Sequence, residues 1–323
     1  MFLFGMKHQW LLGGDFRQLL PVKENGTRAE CLNLSIKFSS LWKHFEKFTL
    51  SQNMRTLPQE IEFSEFLLNV GNGLLNDSED CIQIPNQCIA PTETDIVIDT
   101  FGDLLQRNEY KLATKCAILS ARNIDVQELN IKVVELLDAT TEKIYTSVDS
   151  TENCNDNGAI TEALLPEYLN TLSPTSLPPH ELCLRKYSII MLIRNLSINE
   201  GLCNGTRLLI LDLGKHLLKC EILTGDKSGE VVFLNRITLY CENEYPFSFK
   251  RRQFPIKLAF AMTINKAQGQ TFEKIAVDLR KDVFTHGQGY VAYSRVKSWE
   301  TLKIFIGDRP NKIKNFVYTE LFE

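Results

Sequence analysis

Apolar residues along this chain fall into two rhythms. Short continuous runs bounded by polar or turn-forming residues predict buried strands at Cys116–Ser120, Leu258–Met262, Lys274–Leu279 and Thr301–Ile306. Apolar positions at helical spacing predict helices over Ser35–Phe48, Pro58–Leu75, Asn123–Leu137 and Gly289–Val296. From Tyr187 onward strands crowd together: Ser188–Ile193, Leu208–Leu213, Leu217–Leu223, Val231–Phe233 and Ile237–Tyr240. Asn204-Gly205 and Thr224-Gly225-Asp226 supply turn signals between them. Trp10–Gly14 and Ile96–Asp99 read as two further short strands, Ala139–Gly158 as a polar surface excursion, and Ser173–Pro179 as a stiff linker. Strands alternating with helices on both sides of this β-rich stretch predict an α/β fold with a parallel sheet.

Composition narrows this picture. The 323 residues, 44% hydrophobic and 24% charged, suit a globular protein with a sizeable core, and no apolar run approaches the ~18 residues of a membrane span. No membrane partner is therefore expected. The first residues, Met1–Gly14, read as entry to a strand and not as a signal peptide. Nine cysteines without a C-x-x-C pair or a Cys/His cluster predict free thiols in a reducing compartment and no metal site. The net charge of −4 is unevenly spread: residues 1–180 carry 14 basic against 25 acidic side chains, residues 181–323 carry 22 against 15. A basic carboxyl-terminal half suits contact with nucleic acid phosphates. The Lys250-Arg251-Arg252 run, at the exit of the β-rich stretch, is a candidate for such contact or a solvated surface cluster.

The candidate chemistry centres on Ala259–Thr271, AFAMTINKAQGQT, where an apolar run gives way to Thr263, Asn265, Lys266, Gln268, Gln270 and Thr271. Thr263 or Asn265 is suited to capping a helix start, and Gly269 to close backbone approach. A polar turn at the carboxyl end of a strand is where open α/β sheets place ligands; it is equally the form of an ordinary solvated turn. Asp15 and Gln18, after Gly13-Gly14, are suited to reaching a phosphate-bound metal or water, or, for Asp15, to capping an ordinary turn. Arg55 and Arg295 carry planar guanidinium groups suited to phosphate.

Five strings in order extend over nearly the whole chain: LGGDFRQLLPV (Leu12–Val22), LSQNMRT (Leu50–Thr56), MLIRNLSINEGLCNGTRL (Met191–Leu208), MTINKAQGQT (Met262–Thr271) and YVAYSRVKS (Tyr290–Ser298). Together they resemble the Pif-one-type (petite integration frequency) DNA helicases, including those of helitron transposons. The resemblance implies a RecA-like, P-loop-NTPase-type parallel sheet domain with an inserted small β-barrel, plus the tail of a first RecA-like domain. Residues 1–57 would be that tail, 58–112 a helical and acidic connector, 113–200 and 256–323 the second RecA-like domain, and 201–255 the barrel. The resemblance also implies ATP and Mg²⁺ as cofactors, and single-stranded DNA and duplex junctions as partners. The activity it implies is translocation and unwinding in the 5′-to-3′ direction, in a nucleus or mitochondrion. By the same resemblance Gln18 senses the γ-phosphate with Asp15 beside it, and Arg55 and Arg295 contact the γ-phosphate, Arg295 as an arginine finger. Thr263, Asn265, Lys266 and Gln268 contact the DNA backbone, and Gly269 relays nucleotide state.

A helicase of this kind carries a G-x-x-x-x-G-K-[S/T] loop and an acidic pair for Mg²⁺ upstream of the first of these strings. Neither occurs in the sequence; Ile96–Asp99 imitates the strand of the acidic pair but is followed by Thr100 and lies downstream. The expectation is that the chain corresponds to the carboxyl-terminal part of such a helicase and does not hydrolyse ATP alone. The alternatives are a non-catalytic single-stranded-DNA-binding remnant and a half-enzyme completed by another chain.

Overall fold

In a computed structural model of the chain the structure describes residues 11–21, 23, 26–50, 53–151, 166–242 and 244–322. Met1–Trp10, Val22, Ser51, Gln52 and the end of the 139–158 stretch, all part of the expectations above, lie outside the described residues.

A four-stranded, all-parallel sheet forms the centre, in the order Ala261–Thr263, Cys116–Ser120, Lys274–Asp278, Leu302–Phe305. Cys116–Ser120 is buried along its whole length, as a continuous apolar run between two sheet neighbours must be. The helix Asn123–Glu135 packs on the sheet through Leu129 and Val133. Asn130 on that helix fastens the sheet's edge strand: its Nδ2 donates to the Ala261 carbonyl and its Oδ1 accepts from the Ala261 N–H, both at 2.9 Å. The side-chain amide thus stands where a further strand would have been.

A second helix, Ile61–Asn72, buries Phe63, Leu67 and Val70 and stops at Gly73, whose φ of 74° is the left-handed geometry glycine tolerates. It packs against the short helix Gln288–Tyr293. The Phe63 and Phe66 rings lie 4.7 and 4.9 Å from Trp299.

The β-rich region is a five-stranded antiparallel sheet, in the order Ile256–Leu258, Ile189–Leu192, Arg207–Leu213, Leu217–Ile222, Val231–Asn235. Beside it run a three-stranded sheet of Ile237–Cys241, Phe249–Gln253 and Val148–Thr151 and a pair formed by Lys143–Thr146 and Glu181–Leu184. These strands reach well beyond 201–255, and residues 143–151, expected as surface excursion, contribute two of them. The reason is pairing: Val148–Thr151 hydrogen-bonds to Phe249–Gln253, about a hundred positions away, which local polarity does not reveal.

Three other expectations are corrected. The Leu258–Met262 run is divided between two sheets: Ile256–Leu258 pairs with Ile189–Leu192, Ala261–Thr263 with Cys116–Ser120, and the chain crosses at Ala259-Phe260. Ile96–Asp99 is helical, because the Asp95 carboxylate accepts from the N–H groups of Val97 and Ile98 and starts a turn that continues as a π-helix, Ile98–Gly102. Ser35–Phe48 is two 3₁₀ turns, Ile36–Phe38 and Trp42–His44, since Ser35 and Ser39 bond to backbone N–H groups two residues ahead and interrupt a longer helix.

Arg207, inside the GLCNGTRL string, joins the two regions. Its buried guanidinium donates to the carbonyls of Thr114 (3.0 Å), Cys116 (3.4 Å) and Ala259 (3.3 Å), so one side chain of the β-rich sheet binds the first residue of the central parallel strand and the crossing point. Burial pulls this guanidinium down to about 10.

Candidate functional site

The carboxyl end of the parallel sheet sets Thr263, Ser120 and Asp278 side by side in register. The chain leaves Thr263 as a 3₁₀ turn, Ile264–Ala267, whose Ile264 and Ala267 are buried while Asn265, Lys266, Gln268 and Gly269 are exposed. Thr263 takes the cap position but makes no side-chain capping bond. Gly269 has φ of 81° with open space where a side chain would be, so its glycine serves the backbone turn and not close packing.

The Asp15–Gln18 segment lies against this turn and against the Gln288–Tyr293 helix. The Gln268 side chain donates to Gln18 Oε1 at 3.0 Å. Tyr290 Oη donates to Asp15 Oδ2 at 3.0 Å, and burial together with that carboxylate pushes the phenol up to about 12. Arg17 bonds to Asp15 and reaches Asn72 Oδ1 at 2.8 Å. Gly287 permits the contact: a Cβ there would stand 2.6 Å from the Arg17 carbonyl oxygen and 2.7 Å from the Gln18 carbonyl carbon. Buried His286 completes it, one ring nitrogen 2.8 Å from the Phe16 carbonyl and the other accepting the Tyr318 N–H at 2.9 Å. The tautomer follows: Nε2 carries the proton to the carbonyl and Nδ1 is the acceptor.

Arg55 and Arg295 meet at one residue, Ser294. Arg55 Nη1 donates to its carbonyl at 3.2 Å, Arg295 Nη2 to its hydroxyl at 2.6 Å. Arg295 has no solvent exposure, and its other nitrogens donate to the carbonyls of Val291 (2.8 Å) and Gln270 (3.2 Å). Burial and the neighbouring Arg55 bring its guanidinium down to about 10. No carboxylate forms an ion pair with either arginine among the described residues. Two adjacent cations without a counter-ion are an electrostatic environment that favours an arriving anion; Arg295, fully buried and bonded to Val291, Gln270 and Ser294, does not face solvent. Among the described residues no group of three or more His, Cys, Asp or Glu side chains is arranged for a metal.

The nine residues singled out from the sequence thus gather in one region on three loops and one helix end. Gln18 is bonded directly to Gln268, and Arg55 and Arg295 share a partner. Arg251 leaves the candidate surface: it is fully buried against Asp149, so of the Lys250-Arg251-Arg252 run only Lys250 and Arg252 face outward. Sequence reasoning missed Arg17, His286, Gln288, Tyr290 and Ser294. Tyr290 and Ser294 stand inside a quoted string, and His286 and Gln288 just before it, as hydrogen-bonding residues in an otherwise apolar setting, which was the available signal.

The signature of the PIF1-like helicases matches residues 3–81, and that of the 2B domain of the DNA helicase Pif1 matches residues 167–213. The chain is 34% identical over 142 residues to the ATP-dependent DNA helicase PIF1 of Homo sapiens, covering 43% of this chain and 21% of that protein. It is 26% identical over 309 residues to the ATP-dependent DNA helicase PIF1 of Danio rerio, covering 92% of this chain and 40% of that protein. The chain therefore spans well under half the length of these two relatives. The crystal structure of Pif1 helicase from Candida albicans superposes with a TM-score of 0.61 at 22% identity, over 96% of this chain and 66% of that one. Bacteroides Pif1 bound to ssDNA superposes with a TM-score of 0.57 at 20% identity, over 92% and 62%. At these identities the superpositions establish a common fold.

Proposed function

We propose, from its similarity to the PIF1-like helicases, that the chain is one of them and supplies the DNA-gripping and phosphate-sensing residues of an ATP-dependent helicase that translocates 5′-to-3′ on single-stranded DNA and opens duplex junctions. The observation that carries this reading is the Gln268–Gln18 hydrogen bond. One partner belongs to the exposed turn that offers Asn265 and Lys266 to a DNA backbone, the other to the segment that lies beside the two arginines. A shift of either loop is felt by the other without an intermediary.

In this proposal Lys266 places a positive charge at a backbone phosphate, and Asn265 and Gln268 offer neutral donors beside it. ATP bound with Mg²⁺ would supply the free energy of translocation, with Gln18 and Arg55 at its terminal phosphate. Arg55 stabilises charge on the transferring phosphoryl group, and Arg295, its donors taken up by Val291, Gln270 and Ser294, holds the Ser294 to which Arg55 bonds. Gln18, bonded to Gln268, passes the presence or loss of that group to the DNA-side turn.

The internal bonding of Arg295 favours a second reading, DNA binding without nucleotide turnover by this chain. Phosphate release with and without single-stranded DNA separates the two. The shared part is tested by fluorescence anisotropy with a labelled oligothymidylate at two salt concentrations. Binding at low salt that falls steeply as salt rises is expected, since phosphate contacts release counter-ions; absence of binding at low salt would refute both readings.

A further inference from the structure

Gln288, the first residue of the helix that ends near Arg295, has no solvent exposure. Its side-chain oxygen accepts from two backbone N–H groups, Phe284 at 2.9 Å and Thr285 at 3.3 Å. A backbone N–H can only donate, so that atom must be the oxygen, and the amide orientation of Gln288 is fixed without ambiguity. Its Nε2 then necessarily donates, and the partner is Asn265 Oδ1 at 3.1 Å. The orientation of Asn265 follows in turn. Its oxygen is turned inward to Gln288, and its Nδ2 group is left as the free end. Asn265 is exposed, and among the described residues its Nδ2 has no hydrogen-bond partner.

We propose that Gln288 is a positioning residue that holds Asn265 as a hydrogen-bond donor to a phosphate oxygen of single-stranded DNA. An unrestrained Asn side chain presents oxygen or nitrogen with nearly equal ease, and the oxygen repels a phosphate. Anchoring the oxygen removes that alternative before DNA arrives. Lys266, next in sequence and also exposed, supplies the charge, while Asn265 supplies direction. The inference rests on the DNA-binding reading above and adds to it a residue that does not itself touch DNA.

The test is a double-mutant cycle on the whole chain, read as affinity for labelled oligothymidylate and oligoadenylate, with urea unfolding recorded for every variant. Gln288→Glu keeps the acceptor for Phe284 and Thr285 but replaces the donor with a second acceptor, so Asn265 is drawn to turn its Nδ2 inward and its oxygen outward. Gln288→Ala removes both. Each is expected to weaken binding about threefold to tenfold, the range of one lost hydrogen bond, and equally for both oligonucleotides. Asn265→Ala is expected to weaken binding by a similar factor, and Gln288→Glu on that background to add nothing further. Additive losses, or undiminished affinity in Gln288→Glu, would overturn the positioning role while leaving DNA binding intact. A loss confined to one oligonucleotide would place the contact on a base and overturn the phosphate assignment. Failure of the unaltered chain to bind would overturn the DNA-binding reading and this inference with it.

Discussion

Gln268 donates a 3.0 Å hydrogen bond to Gln18 across 250 positions of sequence. Two side-chain amides, each on a separate loop, are thereby held as a direct link between the exposed turn after Thr263 and the segment after Gly14. The link is on the surface, so its worth in stability is modest, and its interest lies in what it couples.

Replacing Gln18 or Gln268 with Ala is expected to cost about 0.5–1 kcal/mol of stability in each case. The double variant is expected to cost no more than either single one, because both remove the same bond. Urea unfolding of the four proteins in the cycle measures the coupling. Strict additivity would mean that the bond is not populated in solution.

Lys266→Ala is expected to weaken binding to oligothymidylate and to lower the slope of log affinity against log salt by about 0.7, the share of one phosphate contact on a single strand. Arg295→Ala is expected to leave both quantities nearly unchanged, since its guanidinium is turned wholly inward. Anisotropy titrations across a salt series distinguish the two. A larger effect from Arg295 would reverse the assignment of DNA side and phosphate side.

The ion pair of Arg251 and Asp149 is expected to dominate the stability of the β-rich region. Both side chains are fully buried, 2.6 Å apart at the closest atoms, and the guanidinium also donates to the carbonyls of Pro178, Leu169 and Leu172. Asp149→Ala leaves a buried cation without its anion and is expected to cost about 3–5 kcal/mol. Replacing both residues with apolar ones of similar volume is expected to cost much less. Denaturant midpoints with unchanged slopes would establish this.

His286 gives the fold a dependence on pH. Burial, the largest influence, holds its pKa below the ordinary 6.5; the Phe16 carbonyl, Asp15 and Glu320 oppose that shift and Arg28 adds to it. The unfolded chain therefore takes up a proton at this ring before the folded chain does. The stabilisation is fully present above about pH 6.5 and is lost as pH falls from there toward the folded value. His286→Gln keeps a donor and an acceptor without a titrating group. Unfolding free energies of the two proteins should converge as pH is lowered from 7 to 5, and parallel curves would rule the effect out.

Much of the fold is decided locally, and for that reason the sequence alone determined it. Cys116–Ser120 is a strand because five successive buried positions admit little else between helical neighbours, and Ile61–Asn72 ends where Gly73 can turn left-handed. The order of the five motif strings pointed to the resemblance, and with it to the residues that gather at the carboxyl end of the parallel sheet. What the tertiary structure decided depends on partners far away in the chain. The apolar run around Ala259 is continuous in sequence, yet it is divided between two sheets because Ile189–Leu192 captures one end and Cys116–Ser120 the other. Arg251 looks like surface charge beside Lys250 and Arg252 until Asp149, 102 positions away, takes it inside. The outward amino group of Asn265 follows from a buried glutamine 23 residues further on, and the inward turn of Arg295 from the carbonyls of Val291 and Gln270. Periodicity and propensity report on a window of neighbours. Hydrogen-bond direction, burial of charge and sheet membership are settled only when distant segments meet and every buried polar group must find its partner.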